Sequence, residues 1–288
     1  MVNLMKTKNV LFIVEGTNDE PHFIKQLLSK CYPSYNYKIY SYEANLHMLA
    51  SRLEKDYEDF EDDELDILLF LKSYEEANKE IFNLKYTDVF MIFDFEPQHP
   101  DQHFDTIQKM TRYFNQSDER GKLFINYPMM QSYRHLKSLP DQSFLSSKLL
   151  QKDFHHYKQI VSKEGFNNDV SNYDYTSFMS LTYHHLVKLL FIQNNEIVMP
   201  TLSDYDAIDY AKIFDIQYEN LKEGFIWILN TCILILIDYK PSFFLNKSKN
   251  IQHRFYYHFN NTHRVLIMIT SRQPIWITSK MPVFVKMK

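Results

Sequence analysis

The chain has 288 residues, of which 45% are hydrophobic and 24% charged, so it can bury one or two cores and is not a disordered chain. A formal net charge of -4 excludes a wholly basic nucleic-acid coat, but it leaves room for a local basic groove or an acidic metal site. Cys31 and Cys232 are the two cysteines and form no CxxC or Cys/His cluster, so neither a disulfide framework nor a structural zinc is indicated; a reducing cytoplasm is expected.

Near the start, Lys6 and Lys8 precede an apolar run that stops at Glu15, which is not the pattern of a secretion signal. Val10 to Val14 is continuous, apolar and β-branched, as in a strand buried on both faces of a parallel sheet. Glu15-Gly16 closes it. Asn18 or Asp19 then caps a helix with Pro21 in its first turn and Phe23, Ile24, Leu27 and Leu28 at helical spacing. Residues 37–42 alternate as a second strand, and 44–57 read as a helix. The acidic run 54–66 reads as a solvated loop or helix face. A helix over 68–83 leads to a second fully apolar strand, Val89 to Phe93, which also ends in acids: Asp94, then Glu96 after Phe95. A helix from about 104 to 114 and a strand in 121–130 complete an alternation that predicts an α/β sandwich with a mainly parallel sheet.

From about 143 onward the pattern is helical, with helices expected over 145–156, 174–193, 204–215 and 217–239. "FIWILNTCILILI", Phe225 to Ile237, is shorter than the ~20 residues a membrane span needs and reads as a buried helix, so no membrane association is expected. The adjacent pairs His155-His156 and His184-His185 point about 100° apart on a helix and read as helix-surface histidines. Beyond Pro241 the chain shows apolar alternation but no clear helix, as in a small β appendage or a poorly ordered tail. The aromatic and basic stretch Gln252 to Arg264 reads as coil, with stacking on single-stranded nucleic acid as the rival reading. Three segments follow: 1–138, 139–245 and 246–288.

Ligands of open parallel sheets bind outside the carboxyl ends of the strands, where Glu15, Asp94 and Glu96 fall. Strand alternation puts Asp94 and Glu96 on one side, able to share a hard cation, with Glu15 approaching from the next strand. Three carboxylates at one edge repel unless Mg²⁺ or Mn²⁺ neutralises them. Gly16 lets the backbone turn sharply and lets a phosphate approach the following helix N-terminus; a plain tight turn explains it equally well. His99 and His103 lie near the acids and read as loop residues. No GxSxG elbow or P-loop motif is present.

"VEGTND" (Val14 to Asp19) after one apolar strand and "FDFE" (Phe93 to Glu96) after another resemble the TOPRIM domain of topoisomerases, bacterial primases, small-RNA maturases and overcoming-lysogenization-defect nucleases. The resemblance covers about the first 135 residues. It implies Glu15, Asp94 and Glu96 as catalytic acids and Glu15, Asp19, Asp94 and Glu96 as ligands of Mg²⁺ or Mn²⁺. Glu96 stands where aspartate is commoner, no DxDxE continuation follows, and Gln131 stands where defence-system relatives carry an acid. No catalytic tyrosine motif or primase zinc module is visible. What remains resembles the nuclease effectors of phage-defence and abortive-infection systems. It implies hydrolysis of phosphodiester bonds in DNA or RNA, Gly16, Lys122 and Arg134 (or Lys137) as phosphate contacts, and an ATPase sensor or a second copy of the chain as partner. The alternatives are a catalytically weak, Mg²⁺-holding interaction module that docks to an ATPase, and a housekeeping RNA-processing nuclease.

Overall fold

The computed structural model describes residues 8–60, 65–74, 79–238, 240–262, 266–268 and 284–286. The chain divides into two compact units, 1–130 and 131–288. The first is α/β. Its strands β1 (Asn9–Val14), β2 (Asn36–Ser41), β3 (Asp88–Asp94), β4 (Asn115–Gln116) and β5 (Gly121–Asn126) form one sheet in the order β2-β1-β3-β5-β4. All neighbours pair in parallel except the short edge strand β4, which runs antiparallel to β5. Helices α1 (Asp19–Cys31), α2 (Leu46–Asp56), α3 (Ile67–Tyr74), α4 (Lys79–Phe82) and α5 (Phe104–Tyr113) connect them, and α2 packs on α5.

The apolar runs become central strands because both of their faces are covered. Val10 to Val14 and Phe90 to Phe93 are at most 1% exposed. One sheet face carries a row of rings: Phe12 stacks on Phe90 at 5.6 Å, and Phe90 on Phe124 at 5.9 Å, tying β1, β3 and β5 together. Such pairs add roughly 0.5–1.5 kcal/mol each beyond the ~1.5–3 kcal/mol of burying each side chain. After β1 the chain turns to β2 on one side and later reaches β3 on the other. The carboxyl ends of β1 and β3 therefore flank the switch point of the sheet, where a crevice opens between diverging connections.

The second unit is mainly helical: α6 (Tyr157–Glu164), α7 (Tyr175–Asn194), α8 (Leu202–Asp206), α9 (Tyr210–Lys222), α10 (Ile235–Asp238), α11 (Pro241–Lys247) and α12 (Lys249–Thr262). It also holds the antiparallel pair β6 (Lys148–Leu150) with β8 (Phe225–Trp227), and a sheet of β7 (Ile197–Val198), β10 (Phe284–Lys286) and β9 (Leu266–Met268). No described helix is long and apolar enough to cross a membrane.

Three expectations fail here. The helix expected over 217–239 stops at Lys222, because Gly224 takes φ +85 and the β-branched and aromatic run that follows pairs with β6. The stretch 145–156 is two 3-10 turns around β6. The segment after Pro241, whose sequence pattern shows no clear helix, contains α11 and α12, whose Phe244, Phe255 and Tyr256 are buried, before the short strands β9 and β10; residues 269–283 lie outside the described part.

His184 and His185 are not on a helix surface. α7 is buried nearly all round from Phe178 to Leu190, and both rings are fully buried. Each is satisfied by backbone. His184 accepts the Asp141 amide at 2.9 Å and donates to Ser180 O, while His185 accepts the Asn230 amide at 3.0 Å and reaches Tyr133 O. Burial lowers their pKa values to about 4 and about 3, so both are neutral ties between segments. Lys188, one turn on, is fully buried as well and donates to Phe144 O, Ser147 O and Ser147 Oγ at 2.7–2.8 Å.

Candidate active site

Glu15 follows β1 directly and its backbone is fixed from both sides. Its amide donates to Ile92 O of β3 at 3.2 Å, and its carbonyl accepts the Glu43 amide at 3.0 Å. The side chain crosses to β3, where Oε2 accepts the Asp94 backbone amide at 3.1 Å. Asp94 ends β3 opposite Asn126, whose Nδ2 lies 3.5 Å from Asp94 Oδ1, and the Met130 amide also donates to this carboxyl. Burial, then the charges of Glu15 and Glu20, push the Asp94 carboxyl well above its ordinary value of 3.8, against those two donors.

Glu20 is the acid that sequence reasoning missed. It lies in the first turn of α1 and is only 7% exposed. Its carboxylate fills the space beside Gly16: a Cβ at Gly16 would lie 2.7 Å from Glu20 Oε2. Gly16 does not have a left-handed φ, so glycine there serves to leave room for the Glu20 carboxylate and not to permit the backbone conformation. A signal existed in the sequence. Glu20 precedes Phe23, Ile24 and Leu27 by three, four and seven residues, which puts it on the buried stripe, whereas Asp19 is turned out and exposed.

Glu96 does not join Asp94. The strand ends at Asp94, Phe95 is fully buried between Phe104 and Tyr127, and Glu96 takes φ +42, so strand alternation no longer applies. Its Oε2 accepts Asn45 Nδ2 at 3.0 Å, while Asn45 Oδ1 caps α2 by accepting the Met48 amide at 2.9 Å. A carboxylate at that helix N-terminus is favourable by roughly 0.3–1 kcal/mol, which explains where it rests. Nearby, His47 is fully buried, accepts the His103 amide at 3.2 Å and stacks on His99 at 4.9 Å; His103 Nδ1 lies 2.9 Å from Glu54.

The expected phosphate contacts are also elsewhere. Lys122, the second residue of β5, lies opposite Phe90, four residues and therefore ~13 Å before the Asp94 end of the sheet. Arg134 belongs to the second unit, is buried, and donates to Val161 O at 3.1 Å and to Asn168 Oδ1.

Glu15, Glu20 and Asp94 thus gather at the switch point, with no cation among the causes that shift Asp94. Hard carboxylate oxygens around a buried acid whose pKa is raised suit Mg²⁺ or Mn²⁺ in donor chemistry, because a dication offsets the repulsion from Glu15 and Glu20 that adds to the effect of burial. Among the described residues, no three His, Cys, Asp or Glu side chains are already disposed around a point that would hold an ion. The site suits a hard cation by its chemistry, and Glu15 and Glu20 would have to reorient to hold one. Comparison with family models, curated proteins and solved structures finds no match to this chain.

Proposed function

We propose that the first unit carries a divalent-metal-dependent centre for hydrolysing phosphodiester bonds of DNA or RNA, of the kind found in TOPRIM nucleases, and that the protein is an effector of phage defence working with an ATPase sensor. One observation carries the reading. Glu15, Glu20 and Asp94 converge at the switch point of a parallel sheet, and burial, then the charges of Glu15 and Glu20, raise the Asp94 carboxyl.

Asp94, Glu15 and Glu20 are the residues that would hold the metal. When bound, Mg²⁺ supplies charge stabilisation for a scissile phosphate and a water of lowered pKa. Asp94 is oriented by the Met130 amide and Asn126. Glu15, positioned by the Asp94 amide on its Oε2, would act as a metal ligand or as the base that takes a proton from an attacking water. Gly16, without a side chain, leaves room for the Glu20 carboxylate beside this cluster.

A second reading is favoured by a specific observation: Lys122 pairs with Phe90, well short of the Asp94 end of the sheet, and no ion-ready ligand set is formed among the described residues. In it, the unit holds Mg²⁺ weakly and serves as an interaction module. Incubating the purified chain with single- and double-stranded DNA and RNA in Mg²⁺ or Mn²⁺ separates the two. Cleavage that falls about 100-fold or more in Glu15→Gln, Glu20→Gln and Asp94→Asn supports the nuclease. Metal binding without cleavage supports the module, and cleavage unchanged in all three variants refutes the site.

A further inference from the structure

Within the second unit, a cavity of about 280 Å³ is lined by Leu139, Pro140, Phe166 and Ile251 on its apolar side and by Asp174, Ser180 and Arg254 on its polar side. α12 brings Ile251 and Arg254 to it from one helix face, three residues apart. Arg254 makes no hydrogen bond, ion pair or ring contact with another described residue, so its five donors are uncommitted. The Ser180 hydroxyl on α7 is likewise uncommitted, although Ser180 is only 8% exposed.

The N-terminus of α7 is already taken: Asp174 Oδ1 accepts the Ser177 amide and hydroxyl at 2.7 Å each. An anion entering the cavity therefore has Arg254 as its partner. Asp174 is held ionised by those same bonds and is acceptor-only, so it suits ligand hydroxyls. The apolar wall calls for a flat, weakly polar body. Inorganic phosphate lacks that body, and the volume sits at the small end of ligand pockets, below what a dinucleotide needs.

We propose that this cavity binds one nucleoside monophosphate unit, with its phosphate on Arg254, its ribose hydroxyls on Asp174 and Ser180, and its base against Phe166, Pro140 and Ile251. The ligand is either a free nucleotide or the phosphorylated end of a nucleic-acid strand. The inference is independent of the acid cluster in the first unit.

Calorimetric titration of the full chain in EDTA, which disengages any metal chemistry, provides the test. The probes are AMP, UMP, adenosine, inorganic phosphate, and a single-stranded oligonucleotide with and without a 5′-phosphate. Binding of a monophosphate is expected to exceed that of adenosine and of phosphate by about tenfold or more, and to fall by about tenfold in Arg254→Ala, where one charge-assisted contact is lost from an exposed position. Asp174→Asn keeps a good helix cap and is expected to weaken AMP more than 2′-deoxy-AMP. Tighter binding of AMP or UMP identifies the free nucleotide, and tighter binding of the 5′-phosphorylated strand identifies the strand end. No binding of either at millimolar concentration, or equal binding by Arg254→Ala, overturns the proposal.

Discussion

Gly16 shows how a residue choice can encode a site without touching a ligand. A methyl group there would meet Glu20 Oε2 at 2.7 Å, and the obstructing atom is the far end of a flexible side chain, so the fold can yield. Gly16→Ala is therefore expected to cost stability modestly, on the order of 1 kcal/mol or less, while swinging the Glu20 carboxylate out of the cluster and lowering metal-dependent activity or metal affinity about tenfold. The conflict vanishes once the carboxylate is gone. Adding Gly16→Ala to Glu20→Ala should then change neither stability nor metal affinity further, a non-additivity measurable by urea unfolding and metal titration of the four-member cycle. If the two substitutions add independently, Gly16 is only a turn residue. The acids at 15 and 94 were legible because buried parallel strands expose chemistry only at their ends. Glu20 was legible in principle through its spacing to Phe23 and Ile24, but charge argued for solvent and the neighbouring Asp19 competed for the assignment.

At the scale of elements, β1, α1, β3, α5 and α7 follow from the hydrophobic pattern, since each buries a face or run that the sequence displays; the cap expected from Asn18 or Asp19 on α1 is not made by the Asn18 side chain, whereas Asp174 caps α7. The failure at 217–239 has a local cause. An uninterrupted apolar run fits a buried helix or a buried strand equally well, and the decision falls to Gly224 and to a partner, β6, about 75 residues away in sequence. Gly224 holds φ +85 where α9 hands over to β8, and its amide bonds back to Leu221 O at 3.0 Å. Gly224→Ala is expected to destabilise by about 1–2 kcal/mol, the cost of forcing a Cβ into left-handed backbone, with no loss of secondary structure by circular dichroism. Gly165→Ala would meet Val161 O at 2.5 Å and Arg134 O at 2.7 Å, backbone atoms that cannot swing aside, so it should cost at least as much. Glu96 failed for a similar reason: alternation is a property of strands, and β3 ends two residues earlier.

For the whole molecule, the acid cluster makes stability depend on pH in an unusual direction. Asp94 binds its proton more tightly when folded than when unfolded, so between 3.8 and its raised folded value the native state holds more protons. Stability from this group is therefore present at low pH and is lost as pH rises through that window. His47, His184 and His185 act oppositely: their folded values of about 4, about 4 and about 3 lie below the ordinary 6.5, so stability is lost as pH falls through that range. The raw pH profile mixes both signs, and the Asp94 part emerges only as a difference. Thermal melts in EDTA should show Asp94→Asn more stable than the parent at neutral pH, with the gap closing towards pH 4 as the parent carboxyl keeps its proton. Mg²⁺ should stabilise the parent at neutral pH by the binding linkage, about 2.7 kcal/mol at a hundredfold excess over Kd, and leave Asp94→Asn unmoved. Parallel pH profiles for the two proteins would mean that neither burial nor the charges of Glu15 and Glu20 raise the Asp94 carboxyl. Equal Mg²⁺ shifts would move the cation away from Asp94 altogether.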